Sequence, residues 1–332
     1  MATLTRGRGR MNQGWIYRDR IPATAMGQTV LDYYTQRYRH SSRADWQQRI
    51  EAGQVTVDEE FGRAEQPLQP GQQLAYHRPP WQEPVVPLEF AVLYEDDDFL
   101  AIAKPSGLPV LPGGCFLEHT LLHQLRQRYD DPRLSPVHRL GRGTSGVMLW
   151  ARSPLAKSEL SRQMRRSTYE TSSETAPAMA LRKTYRALVG LGELPDTWVM
   201  TTPIGPVPYP QLGTVHAATP TGKPARSEAR VVSRCDAHTL LDVTIFTGRP
   251  HQIRIHLAAA GHPLLGDPLY APGGQPYPVT DPQGVVPVPG DCGYWLHAHR
   301  LRLHHPRTRS PLEIVAPPPP PLQQFDQVTP DS

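Results

Sequence analysis

The chain has 332 residues, 38% of them hydrophobic, with 38 prolines, 26 glycines and a formal net charge of +4. That length points to two domains, or to one large domain with an appendage, and the lack of any run of about 18 apolar residues argues against a membrane-spanning helix. The pI of about 9.0 suits an anionic partner without identifying one, and no secretory-type apolar region follows the first methionine.

Residues 1–20 carry Arg6, Arg8, Arg10, Arg18 and Arg20, with glycine alternating with arginine at the start. They read as a basic flexible arm able to touch phosphates. Residues 21–78 read as a small domain. Val30, Leu31, Tyr34 and Tyr38 lie at helical spacing, and Ser41 and Ser42 offer N-caps for a second helix through Trp46 and Ile50 that Gly53 ends. Val55, Val57 and Leu74 mark short strands, with a turn at Pro70-Gly71. Arg37, Arg39, Arg43 and Arg49 give this unit a basic, candidate RNA-binding face. Residues 79–88 form a stiff proline-rich linker.

Phe90–Tyr94 and Phe99–Ala103 predict two strands around an acidic turn. Leu117, Leu121, Leu125 and Tyr129 give an i, i+4 stripe for a helix that stops near Pro132. Val147–Ala151 predicts a buried strand, Leu155, Leu160 and Met164 a helix, and residues 167–180 an irregular connection. Lys183–Val189 alternates as a strand, and Leu240–Thr247 is another, broken by Gly248 before a helix over His251–Ala260. Residues 271–294 read as a long surface loop and His297–His304 as a strand. The prolines at 317–321 predict the end of ordered structure, with residues 317–332 a tail. Many strands with few, non-periodic helices argue for an α+β fold with a mixed, mostly antiparallel sheet.

Four blocks carry a resemblance. They are YEDDDFLAIAKPSG (Tyr94–Gly107), VHRLGRGTSG (Val137–Gly146), KTYRALV (Lys183–Val189) and TGRPHQIRIHLAAAGHPLLGDPLY (Thr247–Tyr270). With a weaker fifth, LHAHRLRLHHP (Leu296–Pro306), their order resembles the RluA-type family of RNA pseudouridine synthases across residues 89–316. SSRADWQQRIEAGQVTVD (Ser41–Asp58) and PGQQL (Pro70–Leu74) resemble the S4 RNA-binding domain, which implies an S4-like module over residues 21–78.

The resemblance implies isomerisation of uridine to pseudouridine in structured RNA, ribosomal or transfer, with the target base flipped into a pocket. Carried over by position, Arg139 helps displace or replace the flipped base, Tyr185 stacks on the uracil, and Arg254 ion-pairs with a catalytic carboxylate. His138, Thr144, Arg249 and Leu301 are carried over as substrate-binding residues. Where the family's loop has Asp, this sequence has Gly141, which cannot attack, deprotonate or pair with an arginine. A carboxylate entering from Glu118, Asp130, Asp131 or Asp267 is one way out. A silent RNA-binding homologue is the alternative.

No cofactor is implied. His251, His256 and His262, and His297, His299, His304 and His305, lack zinc spacing, so no metal is expected. RNA is the expected partner, with no DNA and no membrane, and a monomer is the default. Cys115, Cys235 and Cys292 are odd in number and widely spaced, which suits a reducing, cytoplasmic setting better than a secreted disulfide framework.

Overall fold

The computed structural model describes residues 11–38, 41–169, 181–210, 212–279 and 286–324. The chain divides into two compact units, Met1–Val85 and Val86–Ser332. Arg39 and most of the connection expected at 167–180 lie outside the described residues. Among the described residues no helix is long and apolar enough to cross a membrane.

In the first unit, β1 (Trp15–Arg20), α1 (Val30–Arg37), α2 (Arg43–Glu51), β2 (Val55–Val57), β3 (Glu60–Phe61) and β4 (Gln73–Arg78) follow in order. The sheet order is β1-β4-β2-β3. This corrects the loose-arm expectation for residues 15–20: Trp15–Arg20 pairs antiparallel along the whole of β4. Backbone pairing with β4, not side-chain apolarity, places this Arg-containing strand, so its hydrophobic pattern gave no warning. Ser42 and Asp45 form a capping box that starts α2. Val30, Leu31, Tyr34, Trp46, Ile50, Val55, Val57 and Leu74 share one core.

The second unit holds β5 (Ala91–Glu95), β6 (Phe99–Lys104), α3 (Leu121–Tyr129), β7 (Ser135–Pro136), β8 (Ser145–Ala151), α4 (Pro154–Tyr169) and β9 (Arg182–Gly190). It continues with β10 (Thr197–Met200), β11 (Ile204–Tyr209), β12 (Gly213–Ala218), β13 (Ser227–Arg234), β14 (His238–Ile245), α5 (Gln252–Ala259), β15 (Leu296–His304) and β16 (Pro311–Val315). The main sheet runs β10-β13-β14-β9-β15-β8-β6-β5, with β16 on β15 and β7 on β8. It is an α+β fold with a mostly antiparallel sheet and flanking helices. Pro206 and Pro208 sit in the separate β11-β12 hairpin. A two-stranded ribbon leaves an N–H edge unpaired, so proline is tolerated there.

One junction is parallel, where β8 meets β15 at His297–Ser145 and Ala298–Gly146. There the backbones approach so closely that a Cβ on Gly146 would lie 2.2 Å from the Ala298 carbonyl oxygen, and Gly146 has φ +107°. Only glycine meets both conditions without strain. The loop before β8 therefore emerges at the seam between the two halves of the sheet. The proline-rich end is also ordered further than expected. Leu322 is 1% exposed and packs with Leu188 and Leu240, which ties residues 317–324 to the sheet.

Candidate active site

A cleft of about 510 Å³ opens at that seam, between the 139–144 loop, the end of β14, the start of α5 and the segment before β15. Its size falls within the usual range for ligand pockets. Tyr185, Arg254, Arg139, Thr144 and Arg249 all line it, and so does Gly141.

Two turns set the walls. In the first, Lys104 is 1% exposed, and its Nζ donates to the carbonyls of Pro105, Leu108 and Arg142 at 2.8, 2.9 and 3.1 Å. Burial pushes its pKa down to about 7. Ser106 Oγ donates to the Gly143 carbonyl at 2.7 Å. The KPSG turn thus fixes the loop that carries Gly141. In the second turn, Gln252 is 3% exposed. Its Oε1 accepts from Thr247 Oγ1 and Arg249 N, while its Nε2 donates to Arg226 O and Ser227 Oγ. That side chain closes Thr247–Gln252 and aims the N-terminal end of α5 at the cleft.

Arg254, 2% exposed, is held by Asp267 in a bidentate pair, with Nε–Oδ2 and Nη2–Oδ1 both 2.7 Å. Nη1 donates to the Pro289 carbonyl at 3.2 Å. The guanidinium also lies 4.3 Å from the Tyr294 ring centroid. Burial works to lower the Arg254 pKa, but the Asp267 hydrogen bonds and charge outweigh it and leave the pKa raised. Asp267 Oδ1 accepts from Leu269 N and Tyr270 N as well. Asp267 is therefore the ionic partner of Arg254, but its oxygens are spent on Arg254 and a turn, and it does not line the cleft.

Tyr185 comes from β9 and is 9% exposed. Burial pushes its pKa up to about 12, so it stays a neutral phenol, with no hydrogen-bond partner among the described residues. Arg139 is exposed and likewise has no partner there. Arg249 Nε donates to the Pro224 carbonyl. Thr144 Oγ1 and Tyr294 Oη lie 3.2 Å apart. A Cβ at Gly141 would point at those same hydroxyls, 3.1 Å from Tyr294 Oη and 3.6 Å from Thr144 Oγ1. None of the described residues lining the cleft is a carboxylate. Asp131 pairs with Arg133, Asp130 caps α3, and neither these nor Glu118 reaches the cleft wall.

Two expected substrate residues are elsewhere. His138 lies behind the loop, where its Nε2 accepts from Leu149 N at 3.2 Å. Burial, with the Lys183 charge, pushes its pKa down to about 3. Leu301 packs with Phe99, Val147, Leu149 and Ile314. The irregularity in β15 between Ala298 and Arg300 separates it from Leu296, which lines the cleft instead.

A family profile described as RNA pseudouridylate synthase matches residues 98–259. An uncharacterized RNA pseudouridine synthase of Synechocystis is 49% identical over 293 residues, covering 88% of this chain and 95% of that protein. The chain belongs to the RNA pseudouridylate synthase family. RNA pseudouridine synthase 5 of Oryza sativa is 43% identical over 359 residues, covering 95% of this chain and 90% of the relative. The solved structure of human RNA Pseudouridylate Synthase Domain Containing 1 matches in fold, with a TM-score of 0.53 at 23% identity, covering 73% of this chain and 89% of that one.

Within this family member, sequence reasoning missed His251 and Tyr294 on the cleft wall. His251 stands in the left-handed region at φ 55°, with Nδ1 2.8 Å from Tyr270 Oη. Tyr270 donates its own proton to the His216 carbonyl, so His251 Nδ1–H is the donor and Nε2 is left as an acceptor. Burial, then the Arg254 charge, pushes the His251 pKa down to about 3. His251 stood inside a matching block and could have been named. Tyr294 lay in a Pro- and Gly-rich run with no periodicity to mark it. In the first unit, Arg37 pairs with Asp19 and Arg43 with Asp32. Arg49 donates to Ser41 Oγ and stacks over Trp46.

Proposed function

We propose that this protein is an RNA pseudouridine synthase acting on a uridine in structured RNA, ribosomal or transfer, with the base bound against Tyr185. The observation that carries the reading is a neutral phenol, without a hydrogen-bond partner among the described residues, in a nucleotide-sized cleft rimmed by Arg139, Arg142 and Arg249. On this reading the base leaves its stack and packs on Tyr185, and Arg139 takes its place in the duplex. The C1′–N1 bond breaks and a C1′–C5 bond forms within one nucleotide. The C5 proton leaves past the Tyr185 hydroxyl and N1 gains one, so the product is an isomer and no redox partner is involved. Arg254, clamped by Asp267, forms a fixed cationic wall. The 21–78 region then acts as an S4-like RNA-binding module, and the protein works as a cytoplasmic monomer.

A specific observation favours a second reading, binding without turnover: none of the described residues lining the cleft is a carboxylate, and Gly141 stands where the family resemblance implies one. The deciding experiment incubates RNA from cells lacking the gene with the recombinant chain and reads pseudouridine by mass spectrometry. New pseudouridine at a defined site supports the first reading. Retained RNA binding with no gain at any uridine removes it in favour of the second.

A further inference from the structure

On the face of the sheet opposite Tyr185 lies a second cavity, of about 130 Å³, lined by Arg182, Thr184, Thr244, Arg300 and Arg302. Alternation along β9 places Arg182 and Thr184 on the side away from Tyr185, and Thr244 likewise alternates with the core residues Val243 and Ile245 of β14. The register brings these residues into adjoining rows, Arg302 opposite Arg182 and Arg300 opposite Thr184, with Thr184 opposite Thr244. The space is large enough for several waters, or for one tetrahedral anion with its hydration.

The charges there do not balance. Like charges placed directly across a β-ladder destabilise it, yet Arg182 and Arg302 are so placed. The acid within reach is Glu313 on β16, which serves both Arg300 at 3.0 Å and Arg302 at 3.3 Å. Arg182 is exposed and has no acidic partner among the described residues. The neighbouring row differs: Arg186 is matched by Asp242 at 2.6 Å. The Thr184 and Thr244 hydroxyls are 3.2 Å apart. One proton satisfies that contact, and the other hydroxyl proton is left to donate into the cavity.

We infer that this cavity is a phosphodiester site, which grips the backbone of the RNA substrate on the reverse of the sheet, apart from the uridine cleft. Guanidinium forks match phosphate oxygens in charge and geometry, and a phosphate there supplies the anion that Glu313 alone does not. The inference rests on the RNA-binding part of the proposed function and not on turnover. It implies that a folded RNA contacts two faces of the catalytic unit, which favours structured substrates over short single strands.

The test measures binding of the full chain to fluorescein-labelled, unmodified transfer RNA transcript and to a ribosomal RNA hairpin across a salt series. The variant is Arg182→Gln with Arg302→Gln, compared with wild type. A phosphate contact contributes about 0.9 to the slope of log K against log salt. The double variant should therefore bind about tenfold more weakly near physiological salt, with a slope shallower by about 1 to 2. Its melting temperature should hold or rise, because an opposed arginine pair has been removed. Unchanged affinity and slope, or weaker binding only in step with a lowered melting temperature, overturns the site and leaves the proposed function standing. A wild-type chain that binds neither RNA overturns both.

Discussion

On one wall of the cleft, Arg254 and Asp267 form a bidentate pair whose side chains are 3% and 1% exposed, with every Asp267 contact accounted for. On the facing wall, Gly141 is exposed, and the groups nearest a Cβ there are two hydroxyls. The first wall is preorganised: its charge was desolvated and matched during folding, so it can meet a ligand without rearranging. The second wall has a fixed backbone, held by Lys104 and Ser106, but no side chain at position 141, between the rim residues Arg139 and Arg142. Positioning and chemistry are therefore carried by different walls, and perturbing each should fail in a different way.

The largest effect should come from the rigid wall. Asp267→Asn leaves Arg254 buried with half its acceptors and no counter-charge. Breaking a buried pair in this way costs about 3–5 kcal/mol, read as a lower midpoint in urea unfolding. A loss under about 1 kcal/mol would show that water reaches Arg254, and that this wall is not the rigid one. Next is the seam on which both walls hang. Gly146→Ala puts a methyl against the Ala298 backbone at a positive φ, and should cost about 2–3 kcal/mol in the same assay.

A smaller effect is pH-dependent. His138 and His251 have pKa values pushed from 6.5 down to about 3. Between these values the unfolded chain binds protons that the folded chain does not, so stability rises with pH across that window and is lost as pH falls from about 6.5 towards 3. The slope should be on the order of 1 kcal/mol per pH unit for each histidine. His138→Gln should flatten the acid limb of a melting-temperature profile by one histidine's share. A profile identical to wild type would mean that His138 is already hydrated.

The strands that reach the cleft were legible because β8 is a continuous apolar run, β9 alternates and β14 is rich in β-forming residues. The strand β1 and the β11-β12 hairpin were not: β1 follows an arginine- and glycine-rich run and is placed by its pairing with β4, and β11 carries two prolines. At the site, Tyr185, Arg254 and Arg139 could be named from matching blocks, and the cleft does bring them together. His138 and Leu301 lie away from the cleft lining for geometric reasons. His138 lies on a bend, where its ring turns back to Leu149 N, and Leu301 lies beyond a β-bulge that changes the in-out count along β15. No sequence pattern announces that Tyr294 returns from an aperiodic loop to sit 4.3 Å from Arg254, because that contact exists only in the folded chain.

The smallest expected change in stability belongs to the most telling variant, Gly141→Asp. Gly141 does not adopt a positive φ, so its backbone accepts a side chain. The nearest atom to the new Cβ, Tyr294 Oη at 3.1 Å, is the tip of a side chain and can yield by a few tenths of an ångström. The cost should stay below about 1 kcal/mol. The new carboxylate enters beside two hydroxyl donors, with the Arg254 guanidinium behind Tyr294, so it would be ionised and hydrogen-bonded where it meets a bound base. If the native chain binds RNA without turnover, Gly141→Asp should produce pseudouridine in the mass-spectrometric assay, which would show that the wall is intact and only the acid was missing. If the native chain already turns over, the variant should leave the modified position unchanged. Failure to gain activity in a silent but stably folded Gly141→Asp protein would mean that the two walls are not set for uridine chemistry at all.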